Sequence, residues 1–293
     1  MSTFLQVVVN GILFGAMYGI AAIGLSVIFG TMRIIFLAQG SVIVLFAYLV
    51  YWLFELWHID PYVSLLIVVP VALIVGLGLF YLLFKRASAL EDKNVSLLLA
   101  VGLMYMIDNL LLKAFTANPR YVKTSYGENI LHIGFLSIGL VRLIALFIAV
   151  LATVAVYWFL QRTLLGTEVR AASYDMEATR LLGISSYFVA AISFAIGISL
   201  AGTAGVAMAS VYSFDPNYGF GFAIKALVVL ALGGIGNVWG ALTAGLLLGV
   251  IENTAMFYIG AGWSDAVSYA VFILVLIFLP QGLFGTRAAI KKV

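Results

Sequence analysis

Seven stretches of this chain contain no Asp, Glu, Lys or Arg: Met1–Met32, Ile34–Phe54, Pro61–Phe84, Leu143–Gln161, Leu181–Phe214, Ala226–Ile251 and Ala266–Thr286. A helix needs roughly 20 mainly apolar residues to cross the hydrocarbon of a bilayer, and nearly every one of these runs supplies them. Backbone groups in hydrocarbon must be satisfied within the protein, which favours helices over open sheets. The chain is 9% charged, against about 25% for a soluble domain. The reading is an all-α polytopic membrane protein of about 8–9 transmembrane helices, residues 1–293 forming a single membrane-spanning domain.

The first run is a span rather than a cleavable signal. It lacks a basic leading region and is far longer than the roughly 7–15 apolar residues of a signal core. The absence of cysteine excludes disulfides, thiolate catalysis and Cys-based metal sites. A formal charge of +3 with dispersed basic residues gives no footprint for nucleic acid.

Spans are predicted near 4–29, 36–56, 62–84, 93–115, 139–161 and 186–209, then a pair near 222–235 and 238–259, and a last span at 264–281. Trp52, Trp57, Trp158, Trp239 and Trp263 all fall near span ends, where indoles anchor at the membrane interface. Orientation follows from the basic residues. With Arg33 cytoplasmic, Lys85, Arg86, Lys93, Arg162, Arg170, Arg180, Arg287, Lys291 and Lys292 share its side, against Lys113, Arg120, Lys123, Arg142 and Lys225 toward the other. The positive-inside rule then puts the N-terminus outside and the C-terminus in the cytoplasm. That parity requires Lys225–Glu252 to turn at Gly233–Asn237, as two full spans or as a re-entrant hairpin.

Three ladders of small residues at four-residue spacing predict close helix packing: Gly11/Gly15/Gly19, Gly197/Ala201/Gly205 and Gly236/Gly240/Ala244.

One segment breaks the apolar monotony. Between Thr167 and Ser185 stand Glu168, Arg170, Asp175, Glu177 and Arg180. An acid near the start, a base near the end and Gly183 as a stop predict a helix over 167–184. Its apolar face would carry Val169, Ala172 and Met176, with Asp175 and Glu177 elsewhere. Interfacial helices carry a strongly basic polar face, and two Arg against three acids fit a docking element for a cytoplasmic protein better.

The segment "RAASYDMEATRLLGIS" resembles the cytoplasmic coupling loop of the LivH-like permease subunits of ABC importers for branched-chain amino acids. So do Asn10–Gly30, Ser213–Glu252 and Leu279–Gly285 resemble other parts of those subunits, in order along essentially the whole chain. The resemblance implies a translocation pathway for branched-chain or hydrophobic amino acids, or similar small solutes, in a bacterial inner membrane. Its implied partners are a second, LivM-like permease subunit, two cytoplasmic ATPase subunits, an extracytoplasmic solute-binding protein and membrane lipid. Carried over by motif position, the ATPase-coupling residues are Arg170, Ala171, Asp175, Ala178, Leu182, Gly183 and Ile184. Pathway candidates are Asn10, Tyr18, Gln39, Gly40 and Asp108. Members commonly read "NFAHG" where this chain has "FLAQG", with Phe36 for Asn and Gln39 for His; Phe46 replaces a Gly, and Trp239 a Pro.

Nothing in the chain hydrolyses ATP, since no GxxxxGK[ST] loop occurs. HExxH and GxSxG are also absent, and His58 and His132 are isolated. The expectation is a non-enzymatic subunit that binds no cofactor or metal, with ATP on partner subunits. Lys225 and Glu252 flank the broken pair and are predicted to meet as a structural ion pair. Asp108 or Glu252 would instead be a coupling site if the chain were an autonomous ion- or proton-coupled transporter.

Overall fold

The computed structural model describes residues 2–87, 93–127, 129–134, 136–279 and 281–284. Arg287, Lys291 and Lys292, which weigh on orientation, and Pro280 and Gly285 of the C-terminal resemblance lie outside the described residues.

The helices follow the apolar runs closely. α1 is Ser2–Met32, α2 Gln39–Trp57 and α3 Leu65–Leu79, which continues through a π-helical turn at Phe80–Phe84 into α4, Lys85–Ala87. α5 is Lys93–Phe115 and α6 Leu140–Arg162. Two short helices follow, α7 Leu164–Tyr174 and α8 Met176–Leu181. The remainder are α9 Ser186–Val211, α10 Tyr218–Gly233, α11 Val238–Tyr258 and α12 Ser264–Phe278. Among the described residues, eight helical segments are long and apolar enough to cross a membrane, and α10 is a shorter apolar helix. All five tryptophans are at least 39% exposed near their helix ends, as interfacial anchors should be.

α1, 31 residues and about 46 Å long, is the axis of the bundle. α11 lies along it because glycines face glycines. A Cβ on Gly11 would fall 2.6 Å from Val250 Cα, and one on Gly249 would fall 2.5 Å from Gly15 Cα. Gly245 meets Gly19 in the same way. The partner of the first ladder is thus Gly245/Gly249, a pair the sequence reading did not single out. The second ladder serves two helices, with Gly197 against Gly24 of α1 and Gly205 against Ile43 and Phe46 of α2.

The third ladder, Gly236/Gly240/Ala244, is corrected at Gly236, while Gly240 does allow a close helix approach, to α10. Gly236 belongs to no helix face; it sits in the α10–α11 turn at φ 81° with open space where a Cβ would be. Gly234, at φ 82°, shares that turn. Two left-handed positions in three residues reverse the chain between α10 and α11, and glycine takes them without strain. Gly240 lies in the first turn of α11, where its N–H donates to the capping Asn237 Oδ1 at 2.9 Å. A Cβ on Gly240 would run into the carbonyl oxygen of Gly233, the last residue of α10. Gly240 therefore closes the α10–α11 hairpin on itself; it does not continue a stripe from Gly236 toward another helix, because the helix begins only after Gly236.

The loop between α5 and α6 holds an antiparallel hairpin, Ile130–Ile133 with Leu136–Gly139, not anticipated in an all-α reading. Gln6 of α1 latches it: its Nε2 donates to Ser137 O at 2.7 Å, and Ser137 N donates to its Oε1 at 2.8 Å. On the same face, Tyr126 donates its hydroxyl to Asp60 Oδ2 at 2.5 Å. Burial first, then that hydrogen bond, pushes the Tyr126 hydroxyl above its ordinary value.

Candidate functional site

The polar segment folds as two helices, not the single helix predicted over 167–184. The break is at Asp175, which leaves helical geometry (φ −151°, ψ 103°) and accepts at Oδ1 from Glu177 N and Ala178 N, both at 3.0 Å. A short polar side chain before M-E-A is a strong N-cap. Asp175 is therefore half-buried and holds the entry to α8, where the sequence reading placed it as a charge on a helix face. α7 also starts earlier than expected, capped by Thr163 Oγ1 accepting from Gly166 N at 2.9 Å. Gly183 closes α8 in the left-handed region, φ +83°, with its N–H on Arg180 O at 3.0 Å.

The seven coupling candidates divide by direction. Ala178, Leu182 and Gly183 face outward. Ala171 and Ile184 are half-buried, and Ile184 packs against the core. Arg170 turns back toward the bundle. Its Nη1 donates to Gln161 Oε1 at 2.9 Å, and it lines a cleft with Ser26, Thr31 and Ser173. Val169 and Ala172 are buried, while Leu181 is 90% exposed and Leu182 78% exposed, with Tyr174 close behind. The element thus shows an apolar knob outward, edged by Glu177 and Arg180.

The pathway candidates do not form one site. Asn10 accepts from Gln6 Nε2 at 3.4 Å, toward the hairpin face. Gln39 is wholly enclosed; its Nε2 donates to Gly197 O at 3.4 Å and its Oε1 makes no hydrogen bond of normal geometry. Gly40 is where α2 crosses α10, since a Cβ there would lie 2.8 Å from Ala223 N. Asp108 of α5 faces Ser41 of α2, and neither Asp108 Oδ1 nor Ser41 Oγ makes a hydrogen bond of normal geometry. Phe36 fills an aromatic cluster, with ring centroids 5.0 Å from Phe194 and 5.7 Å from Phe84.

Tyr18 belongs with the ionisable pair. Lys225 Nζ of α10 stands 2.5 Å from Glu252 Oε1 of α11 and donates at 3.4 Å to Tyr18 OH of α1. A third charge, missed in the sequence, completes the group: Asp265 Oδ1, in the first turn of α12, lies 3.0 Å from Lys225 Nζ. Its signal was there. Asp265 bounds the last charge-free run just as Lys225 and Glu252 bound the one before. No cluster able to hold a metal ion occurs among the described residues.

Comparison with known proteins matches residues 7–276 to the family described as the permease component of branched-chain amino acid transport systems. Over 304 residues the chain is 29% identical to the high-affinity branched-chain amino acid transport permease protein BraD of Pseudomonas aeruginosa, covering 99% of this chain and 98% of the relative. Identity to LivH of Escherichia coli K12 is 29% over 308 residues, with the same coverage. A probable LivH of Methanocaldococcus jannaschii is 24% identical over 94% of this chain and 91% of that one. No solved structure matches.

Proposed function

This chain belongs to the family of branched-chain amino acid transport permease components, and on that premise we propose that it carries branched-chain or similar hydrophobic amino acids, delivered by an extracytoplasmic binding protein, inward beside a second permease subunit. It is a multi-pass membrane protein and, as a permease component, no enzyme of its own. ATP is hydrolysed on two separate cytoplasmic subunits, and no cofactor is bound here. The N-terminus lies outside, and the α7–α8 element and the C-terminus lie in the cytoplasm, in keeping with the basic residues.

One observation carries the reading. α7–α8 is anchored on one face by buried Val169 and Ala172, capped at both starts, and presents Leu181 and Leu182 exposed, without a partner among the described residues. An autonomous transporter has no need of such an element, whereas an ATPase groove gives it an occupant. Leu181→Asp with Leu182→Asp tests it. Both side chains are exposed, so the spans should still insert, and the ATPase subunits should no longer co-purify after mild solubilisation. Full retention of the ATPases would remove the docking reading and favour the autonomous transporter.

A further inference from the structure

Arg170 points away from the surface that α7–α8 offers to a partner. It lines a cleft of about 330 Å³ together with Ser26 and Thr31 of α1, Ser173 of α7 and Gly236 of the α10–α11 turn. Leu160 of α6 and Val238 of α11 form its apolar side. α1 stops at Met32 and α6 at Arg162, so the cleft lies where these spans leave the hydrocarbon.

The cleft holds a positive charge without a counterion. Arg170 Nη1 donates to Gln161 Oε1 at 2.9 Å, a neutral amide that orients the guanidinium and leaves its charge whole. Nε makes no hydrogen bond; Nη2 has no partner among the described residues and, unlike Nε, is not sealed off. No carboxylate among the described residues pairs with Arg170. Glu168 stands two positions earlier on α7, and residues two apart do not share a helix face. Asp175 is engaged in capping α8. Ser26 Oγ accepts from Gly236 N at 3.0 Å, and its own hydrogen has no acceptor among the described residues. The unused side-chain hydrogens of the cleft thus belong to Arg170 and Ser26, and they call for a negatively charged acceptor.

The walls continue outward as an aromatic surface. Tyr157, one turn before Leu160, and Trp239, next to Val238, have ring centroids 5.9 Å apart and are 42% and 39% exposed. Interfacial aromatics sit at the level of lipid headgroups.

We propose that this cleft binds a phosphate group, with Arg170 as its cation and the Ser26 hydroxyl as a second donor. The planar guanidinium fork suits phosphate oxygens, and basic pockets between spans at a membrane surface take lipid headgroups. The group has two possible sources: the headgroup of an anionic phospholipid, with its acyl chains along Tyr157 and Trp239, or inorganic phosphate from water. Either one would tie α7 to α1 and to the α10–α11 turn, so occupancy would set how firmly the α7–α8 element is held to the spans. The assignment goes beyond the permease reading and depends on neither cargo nor ATPases.

The test uses the purified chain, stripped of lipid in a neutral detergent, with melting temperature followed as each probe is titrated. Phosphatidylglycerol should raise it, and phosphatidylcholine at the same mole fraction should not. Stabilisation that inorganic phosphate fails to reproduce identifies the lipid as the source; stabilisation by inorganic phosphate without lipid identifies the free ion. No response to phosphate, with the two lipids acting alike, overturns the site. Arg170→Gln and Arg170→Met, two variants in case one does not fold, should each raise the half-saturating concentration about tenfold, the scale of one lost charge-assisted hydrogen bond. Arg162→Gln, exposed at the end of α6, should titrate like the wild type. Either Arg170 variant titrating like the wild type overturns the proposal. An equal loss in Arg162→Gln overturns it too, because the charge of the whole face, rather than the cleft, would then attract the anion.

Discussion

Phe46 of α2 closes against Gly205 of α9, where a Cβ would stand 2.9 Å from Phe46 Cβ and 2.6 Å from Ile43 O. Phe46 occupies a position that is Gly in the permeases the chain resembles, and it is 2% exposed. The added bulk is met by glycine opposite, and a Cβ on Gly202 would stand 3.7 Å from the Phe46 ring.

Gly205→Ala should therefore destabilise the bundle by about 1–3 kcal/mol, the usual cost of overpacking. Combining it with Phe46→Gly, which removes the opposing Cβ, should recover little of that loss, because the Ile43 carbonyl remains in the way and cannot rotate aside. Thermal unfolding in detergent of the two single variants and the double checks this. Full recovery in the double variant would mean that the side chain alone sets the helix separation.

Asp175 gives a second expectation. As the cap of α8, its loss in Asp175→Ala should cost about 1 kcal/mol locally, fraying a six-residue helix that has little else to hold its first turn. Asp175→Asn keeps the accepting oxygen and should keep ATPase binding close to wild type. Pull-down of the ATPase subunits distinguishes them: equal loss in both variants would mean the charge, not the cap, is what the partner reads.

Gly183 separates backbone strain from contact. At φ +83° a Cβ is disfavoured by about 1 kcal/mol, yet among the described residues nothing beyond its own local backbone and chain neighbours lies within 4 Å of where it would be. Gly183→Ala should then lower melting temperature slightly and ATPase association modestly. Gly183→Leu should lower melting temperature no further, while association falls by tenfold or more as its bulk enters the partner's groove. Equal association of the Ala and Leu variants would argue that nothing docks at this corner.

Spans were legible because their signal is absolute: a run such as Leu181–Phe214 without charge has few alternatives at this length. Gly183 and the turn at Gly233–Asn237 were legible for a local reason, since left-handed backbone selects glycine. What escaped depends on pairing in space. Gly245 and Gly249 look like ordinary glycines until α11 is laid against Gly15 and Gly19 of α1. Gly236 and Gly240 stand four apart like any ladder, yet the turn places one outside the helix and sets the other against Gly233. Asp265 marks a span boundary until α12 brings it to Lys225. Asp175 was misread for the opposite reason, because cap and face charge look alike in a periodic pattern and only the backbone break at φ −151° decides between them. Gln39 and Gly40 were named as pathway residues from resemblance, and both are enclosed at helix crossings.

Orientation supplies the last test. The chain has no cysteine, so single cysteines can be placed at will and labelled in intact cells with an impermeant thiol reagent. Leu182 is 78% exposed beyond α8, and Ser125 is exposed in the loop tied to Asp60 through Tyr126. These positions lie on opposite faces of the bundle, because α6 runs from the hairpin strand at Gly139 to Arg162, just before α7. The helix is 23 residues long, about 34 Å, enough for the hydrocarbon. Ser125→Cys should label in intact cells and Leu182→Cys only after permeabilisation. The reverse pattern would put α7–α8 outside, where no ATPase could reach it, and labelling of both in intact cells would mean that α6 does not cross.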